Sequence, residues 1–68
     1  MNLHLLRTFA SVVEQGGFTR AAKAIHVSQP AVSRAVRELE EQLGIALLER
    51  AGGTLRCTEA GAALYRHA

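Results

Sequence analysis

Ser28-Gln29-Pro30-Ala31-Val32-Ser33-Arg34-Ala35-Val36-Arg37 decides how this chain is read, because it describes a helix with a defined start and an outward polar edge. Ser28 is a good N-cap, whose hydroxyl can accept from an otherwise orphaned backbone N–H, and Pro30 falls in the first turn, where a missing N–H costs nothing. At about 100° per residue, Val32, Val36, Leu39 and Leu43 share one narrow arc, which predicts the buried stripe. Pro30, Arg34, Arg37 and Glu41 lie opposite, with Gln29 and Ser33 on one flank. Gln29, Ser33 and Arg34 all sit within the first two turns and are side chains suited to base edges, Arg pairing with guanine and Gln with adenine. Taken alone, the segment fits an ordinary capped surface helix equally well.

The rest of the composition narrows the choice. A chain of 68 residues makes one small domain, near the lower limit for burying a core without disulfides or metal. Half of the chain is hydrophobic (49%) yet it holds only two Phe, one Tyr and no Trp, so the core must be Leu, Val, Ile and Ala, which favours closely packed helices. The formal charge of +2 fits an anionic partner without demanding one. Cys57 is the single cysteine, which excludes an intrachain disulfide, and with three scattered histidines it offers no zinc spacing, so neither metal nor cofactor is expected. No basic-then-apolar leader opens the chain and no apolar run approaches spanning length, so the expected location is cytoplasmic.

Upstream, Asn2 can cap a first helix with Leu3, Leu6, Phe9, Ala10 and Val13 on one face, and Leu5 and Val12 widen the apolar arc enough for two partners. Gly16-Gly17 ends it through left-handed backbone. Thr19 is read as the next N-cap, opening a short helix with Phe18, Ala21, Ala22 and Ile25 inward, whose alanines permit a close crossing. A turn of three to four residues separates this helix from Ser28, which is helix-turn-helix spacing. His26, at the helix C-terminus, is read as complementing the dipole rather than as a catalytic group.

Downstream, Arg34 with Glu38 and Arg37 with Glu41 form i,i+4 pairs, while the charge changes sign along the helix: two cations between Ser28 and Arg37, three glutamates between Glu38 and Gln42. Only the N-terminal half can approach phosphates. Gly44 closes the helix, and the run Ile45–Ala51, then Gly52-Gly53, then Thr54-Leu55-Arg56-Cys57, predicts a hairpin, because a tight primed turn needs positive φ at both central residues. In this wing, Leu55 and Cys57 face the helices and Thr54 and Arg56 stay wet, which makes Cys57 a small hydrophobe. Thr58 caps a last helix with Ala60, Ala63 and Leu64 on one side, expected to continue past the end of this chain or to pair with another copy.

In this order, several spaced motifs resemble the N-terminal winged helix-turn-helix of LysR-type transcriptional regulators: Phe9, then Phe18-Thr19-x-Ala21-Ala22, Val27-Ser28-Gln29-Pro30-Ala31-Val32-Ser33, Leu39-Glu40-x-x-Leu43-Gly44, Arg50, and Thr58-x-Ala60-Gly61. The resemblance covers essentially the whole chain. It implies a mainly α winged helix-turn-helix, with a DNA-binding domain over 1–57 and the start of a linker or dimerisation helix over 58–68. It also implies a homodimer, or a tetramer for the full-length protein, on a partly palindromic duplex, with a small-molecule effector sensed by a domain absent here. By similarity, Gln29, Pro30, Ser33 and Arg34 enter the major groove, with the helix from residue 28 to 43 as reader. Thr19, Ser28 and Arg50 hold phosphates, Arg37 adds another contact, and the turn of Gly52, Gly53 and Thr54 lies beside the backbone or minor groove. Two departures stand out: Gly53 replaces a second basic residue often found in the wing, a role Arg56 takes if the hairpin twists, and Cys57 replaces the usual Leu. A protein-binding winged helix is the rival reading, since the fold also serves interaction surfaces, but Arg and Thr facing phosphates argue against it. An enzyme has only Ser28, Ser33, His26 and the glutamates as raw material, with no nucleophile and base at a convincing spacing.

Overall fold

Three helices, a hairpin and a fourth helix follow one another in a computed structural model that describes residues 2–68: α1 (Leu3–Gln15), α2 (Phe18–Ala24), α3 (Gln29–Leu43), β1 (Leu48–Ala51), β2 (Thr54–Cys57) and α4 (Glu59–Arg66). This is the winged helix-turn-helix that the sequence predicts. Three caps act as read. The side-chain oxygens of Asn2, Ser28 and Thr58 accept from the N–H groups of His4, Ala31 and Gly61 at 2.8, 3.2 and 3.0 Å.

Thr19 does not cap α2. The helix begins one residue earlier, at Phe18, with extended Gly17 (φ 173, ψ 162) in the cap position and no side-chain cap bond. Only Gly16 of the tandem pair is left-handed, and its N–H closes α1 onto the carbonyl of Val12. The glycines divide the work: Gly16 ends α1 through positive φ, and Gly17 is the extended residue ahead of α2.

The core forms where α1 crosses α2 and α3, around Phe9, Val12, Val32 and Leu39, each fully buried, with Leu47 closing it from the segment before β1. The buried residues of α1 are Leu5, Thr8, Phe9, Ser11 and Val12. Leu5, Phe9 and Val12 lie in the predicted arc, but its centre, set by Leu3, Leu6, Phe9, Ala10 and Val13, is about 100° away from the face that is buried. Thr8 can sit inside because its hydroxyl donates to the carbonyl of His4 at 2.9 Å within the same helix, so no polar group is left unsatisfied. Leu3 consequently points outward, 59% exposed. On α3 the stripe is Val32, Ala35, Val36 and Leu39; Leu43 leaves the core because the chain turns away at Gly44, where left-handed backbone (φ 70) ends the helix.

Residues 45–47 are a connecting loop rather than strand, and β1 and β2 pair antiparallel around Gly52-Gly53, with Leu48 opposite Cys57 and Arg50 opposite Leu55. Both glycines have positive φ (59 and 79), as a primed two-residue turn requires. Leu55 and Cys57 are half-buried against the helices while Thr54 and Arg56 are exposed, and burial pushes the Cys57 thiol up from its ordinary range. At α4 an ideal Cβ on Gly61 would run into the carbonyl of Leu47. Only glycine lets α4 come this close.

Candidate nucleic-acid interface

The turn between α2 and α3 occupies residues 25–28, so the helix-turn-helix spacing holds. It closes in a Schellman arrangement: the N–H of Val27 reaches back to the carbonyl of Ala22 and that of His26 to Lys23, at 3.0 and 3.4 Å. The left-handed residue this motif needs is His26 (φ 60), the one non-glycine residue with positive φ among the described residues. Its side chain is exposed and makes no hydrogen bond there, so backbone geometry, not imidazole chemistry, is what the turn draws from this position.

Beyond the turn, the predicted readers come together on the first two turns of α3. Gln29, Pro30 and Arg34 are exposed and Ser33 is half-buried. Gln29 Nε2 donates to Ser33 Oγ at 2.9 Å, one helical turn on, so these two side chains hold each other at the surface. Among the described residues Arg34 and Arg37 make no ion pair. The expected i,i+4 bridges to Glu38 and Glu41 do not form, in keeping with the weaker order of cation before acid along a helix.

The wing contributes Arg50. Strand alternation places it on the same hairpin side as Leu48 and Leu55, and with Phe18, Ser33, Arg37 and Glu40 it lines a cleft of about 300 Å³ between β1 and α3. Exposed Thr19 sits at the second position of α2, next to Phe18 on that rim. The wing tip, Gly52 to Thr54, is exposed. Arg56 is placed differently: its Nε donates to Glu49 Oε2 across the ladder at 3.2 Å, and it lines a small pocket with Val13 of α1 and the Gly16 that ends that helix, rather than with α3. An exposed pair of this kind contributes at most about 1 kcal/mol, but it ties up the guanidinium intended for the wing.

Charge sorts along the chain accordingly. From Gln15 through Arg37 there is no Asp or Glu, only Arg20, Lys23, Arg34 and Arg37 as full charges. The acids that follow are not all solvated: half-buried Glu40 accepts through Oε2 from the N–H groups of Leu47 and Leu48 at 2.7 and 3.3 Å, while its carbonyl takes Gly44 and Ile45. Sequence reading missed this role, which joins residues seven and eight positions apart.

A helical pair with a four-residue turn, an exposed polar start to its second helix and a hairpin flanking that helix define a winged helix-turn-helix domain. Residues 3–62 match the model of the bacterial regulatory helix-turn-helix proteins of the lysR family. The chain belongs to that family. The HTH-type transcriptional regulator PcaQ of Agrobacterium fabrum is 49% identical over 63 residues, covering 93% of this chain and 20% of that protein. The HTH-type transcriptional regulator BenM of Acinetobacter baylyi is 44% identical over 68 residues, covering 100% and 22%. A solved complex of the BenM DNA-binding domain with catB site 1 DNA matches with a TM-score of 0.93 at 43% identity, over 98% of this chain and 74% of that one. A CbnR DNA-binding domain solved with DNA gives 0.91 at 40% identity, over 98% and 77%. The chain spans about one fifth of the length of these two relatives. Those relatives are transcriptional regulators, in line with a binding domain rather than an enzyme.

Proposed function

We propose that this domain is the reading head of a bacterial transcriptional regulator and binds double-stranded DNA at defined sequences. The observation that carries the reading is the acid-free stretch ending at Arg37, with Arg34 and Arg37 exposed and unpaired beside the Gln29–Ser33 pair. In this reading Gln29, Pro30, Ser33 and Arg34 meet base edges in the major groove. Thr19, Ser28, Arg37, Arg50 and the turn of Gly52, Gly53 and Thr54 hold the backbone. Arg56 joins them only by giving up Glu49. The domain runs over 1–57, and 58–68 begins a linker helix.

The partner copy of a homodimer would use the apolar surface that the core leaves over: Leu3 exposed, and Leu6, Ala10 and Val13 half-buried along α1. A tetramer, an effector bound by a further domain, and a cytoplasmic setting complete the proposal. Among the described residues no helix is long and apolar enough to cross a membrane.

Selection of bound duplexes from a random pool tests the reading. The expected product is an enriched motif of two half-sites whose centres lie about one helical turn, or a multiple of it, apart. No enrichment, together with no duplex binding at low salt, would overturn it.

A further inference from the structure

Two cations on α2 have no part in the assignments above. Arg20 and Lys23 are exposed, stand at i and i+3 on the side opposite Ala21 and Ala22, and make no ion pair among the described residues. Ala21 and Ala22 are 0% and 5% exposed, which fixes the orientation of α2: its small side chains face the core and its two long cations face away. The nearest acids in sequence are Glu14 and Glu38, so nothing on α2 or on the turn that follows neutralises them.

When a helix-turn-helix docks, its second helix enters the major groove and its first helix crosses the phosphate backbone. We propose that Arg20 and Lys23 form a second phosphate track, contacting the backbone of the same duplex on the flank of the groove that α3 enters. This rests on the DNA-binding reading above. The track carries no base information, because phosphates are the same at every step. It adds affinity for any duplex and steepens the dependence on salt, since each neutralised phosphate releases condensed counterions.

The test compares R20Q/K23Q with wild type and with R7Q/R66Q, which removes the same charge from exposed positions of α1 and α4. For two lost phosphate contacts, the slope of log K against log salt falls by about 1.8, equally on a selected and a scrambled duplex. The single variants each lose about half of that, and the preferred sequence is unchanged. Because both side chains are exposed and unpaired, the thermal midpoint stays at the wild-type value. A wild-type slope in R20Q/K23Q, or an equal fall in R7Q/R66Q, overturns the track and leaves the DNA reading standing. Wild-type protein that binds no duplex overturns both.

Discussion

The two ends of α3 treat their polar groups in opposite ways. Toward its C-terminal end Glu40 is consumed internally, holding two backbone N–H groups of the loop that follows. Thr58, the N-cap of α4, donates to the carbonyl of Ala46 in that same loop at 2.7 Å and accepts from Gly61, while Glu38, Glu41 and Gln42 stay exposed. At the N-terminal end of α3 the polar groups are held in reserve: Arg34 and Arg37 have no partner among the described residues, and Gln29 and Ser33 have only each other. Satisfied polar networks fix a structure, whereas idle exposed donors add nothing to stability and remain free for a ligand. One helix therefore anchors the wing at one end and presents chemistry at the other. Changes at the anchoring end should register in unfolding, and changes at the presenting end in binding.

The largest effect expected is at Gly61. A Cβ there would overlap the carbonyl oxygen of Leu47, a backbone atom that cannot swing aside, so α4 must lift away from the loop before β1. Gly61→Ala should cost about 3 kcal/mol or more in denaturant unfolding, at the upper end of overpacking penalties. A loss below about 1 kcal/mol would show that α4 is loosely seated. Glu40→Ala comes next, at about 2 kcal/mol, because it leaves the N–H groups of Leu47 and Leu48 without their charged acceptor. Glu40→Gln, which keeps an acceptor oxygen, should lose about half as much. Equal losses for the two variants would assign the whole effect to the negative charge, since Gln keeps the volume and an acceptor oxygen.

Neither of those roles was legible in the sequence, and the reason is physical. Local chemistry shows in a string of residues: the caps at Asn2, Ser28 and Thr58, the four-residue turn and the Gly52-Gly53 hairpin each depend on neighbours a few positions apart. The grip of Glu40 and the approach of Gly61 to Leu47 depend on where the chain returns after a turn. Periodicity found α1 and three of its buried residues, Leu5, Phe9 and Val12, but set the centre of the face too far round, because counting apolar side chains ignores that Thr8 can be buried once its hydroxyl finds the carbonyl of His4. For Thr19 the strong cap preference of threonine misled, since Gly17 already supplied an extended residue ahead of the helix. Of the candidate interface, the α3 readers were legible because they share one helix. Arg56 was not, because only the strand register reveals its pairing with Glu49.

At the presenting end the expected losses are smaller and appear only when DNA is added. Arg34→Ala should weaken the selected duplex by about 1–3 kcal/mol and relax preference at one position, while Arg50→Ala, at the cleft beside α3, should weaken all duplexes alike and lower the salt slope by about one. Titrations on selected and scrambled duplexes at several salt concentrations separate the two. Equal losses on both duplexes for Arg34→Ala would remove its base contact. Neither variant should change the unfolding midpoint, since neither side chain has an ion-pair partner among the described residues.

The turn at His26 decides to which end the junction between α2 and α3 belongs. The sequence favours a structural imidazole complementing the α2 dipole, and that predicts a loss of stability when it is removed. The structure shows instead a left-handed backbone carrying an exposed side chain without a hydrogen bond, and for an L-residue this conformation costs roughly 1–2 kcal/mol that glycine does not incur. Glycine also gives more freedom to the unfolded chain, an offset of about 0.4–1 kcal/mol. The net expectation for His26→Gly is a gain of about 0.5 kcal/mol, which for a domain of this size raises the thermal midpoint by about 2–4 °C. A lower midpoint would return His26 to the anchoring end, with its imidazole holding the last carbonyls of α2.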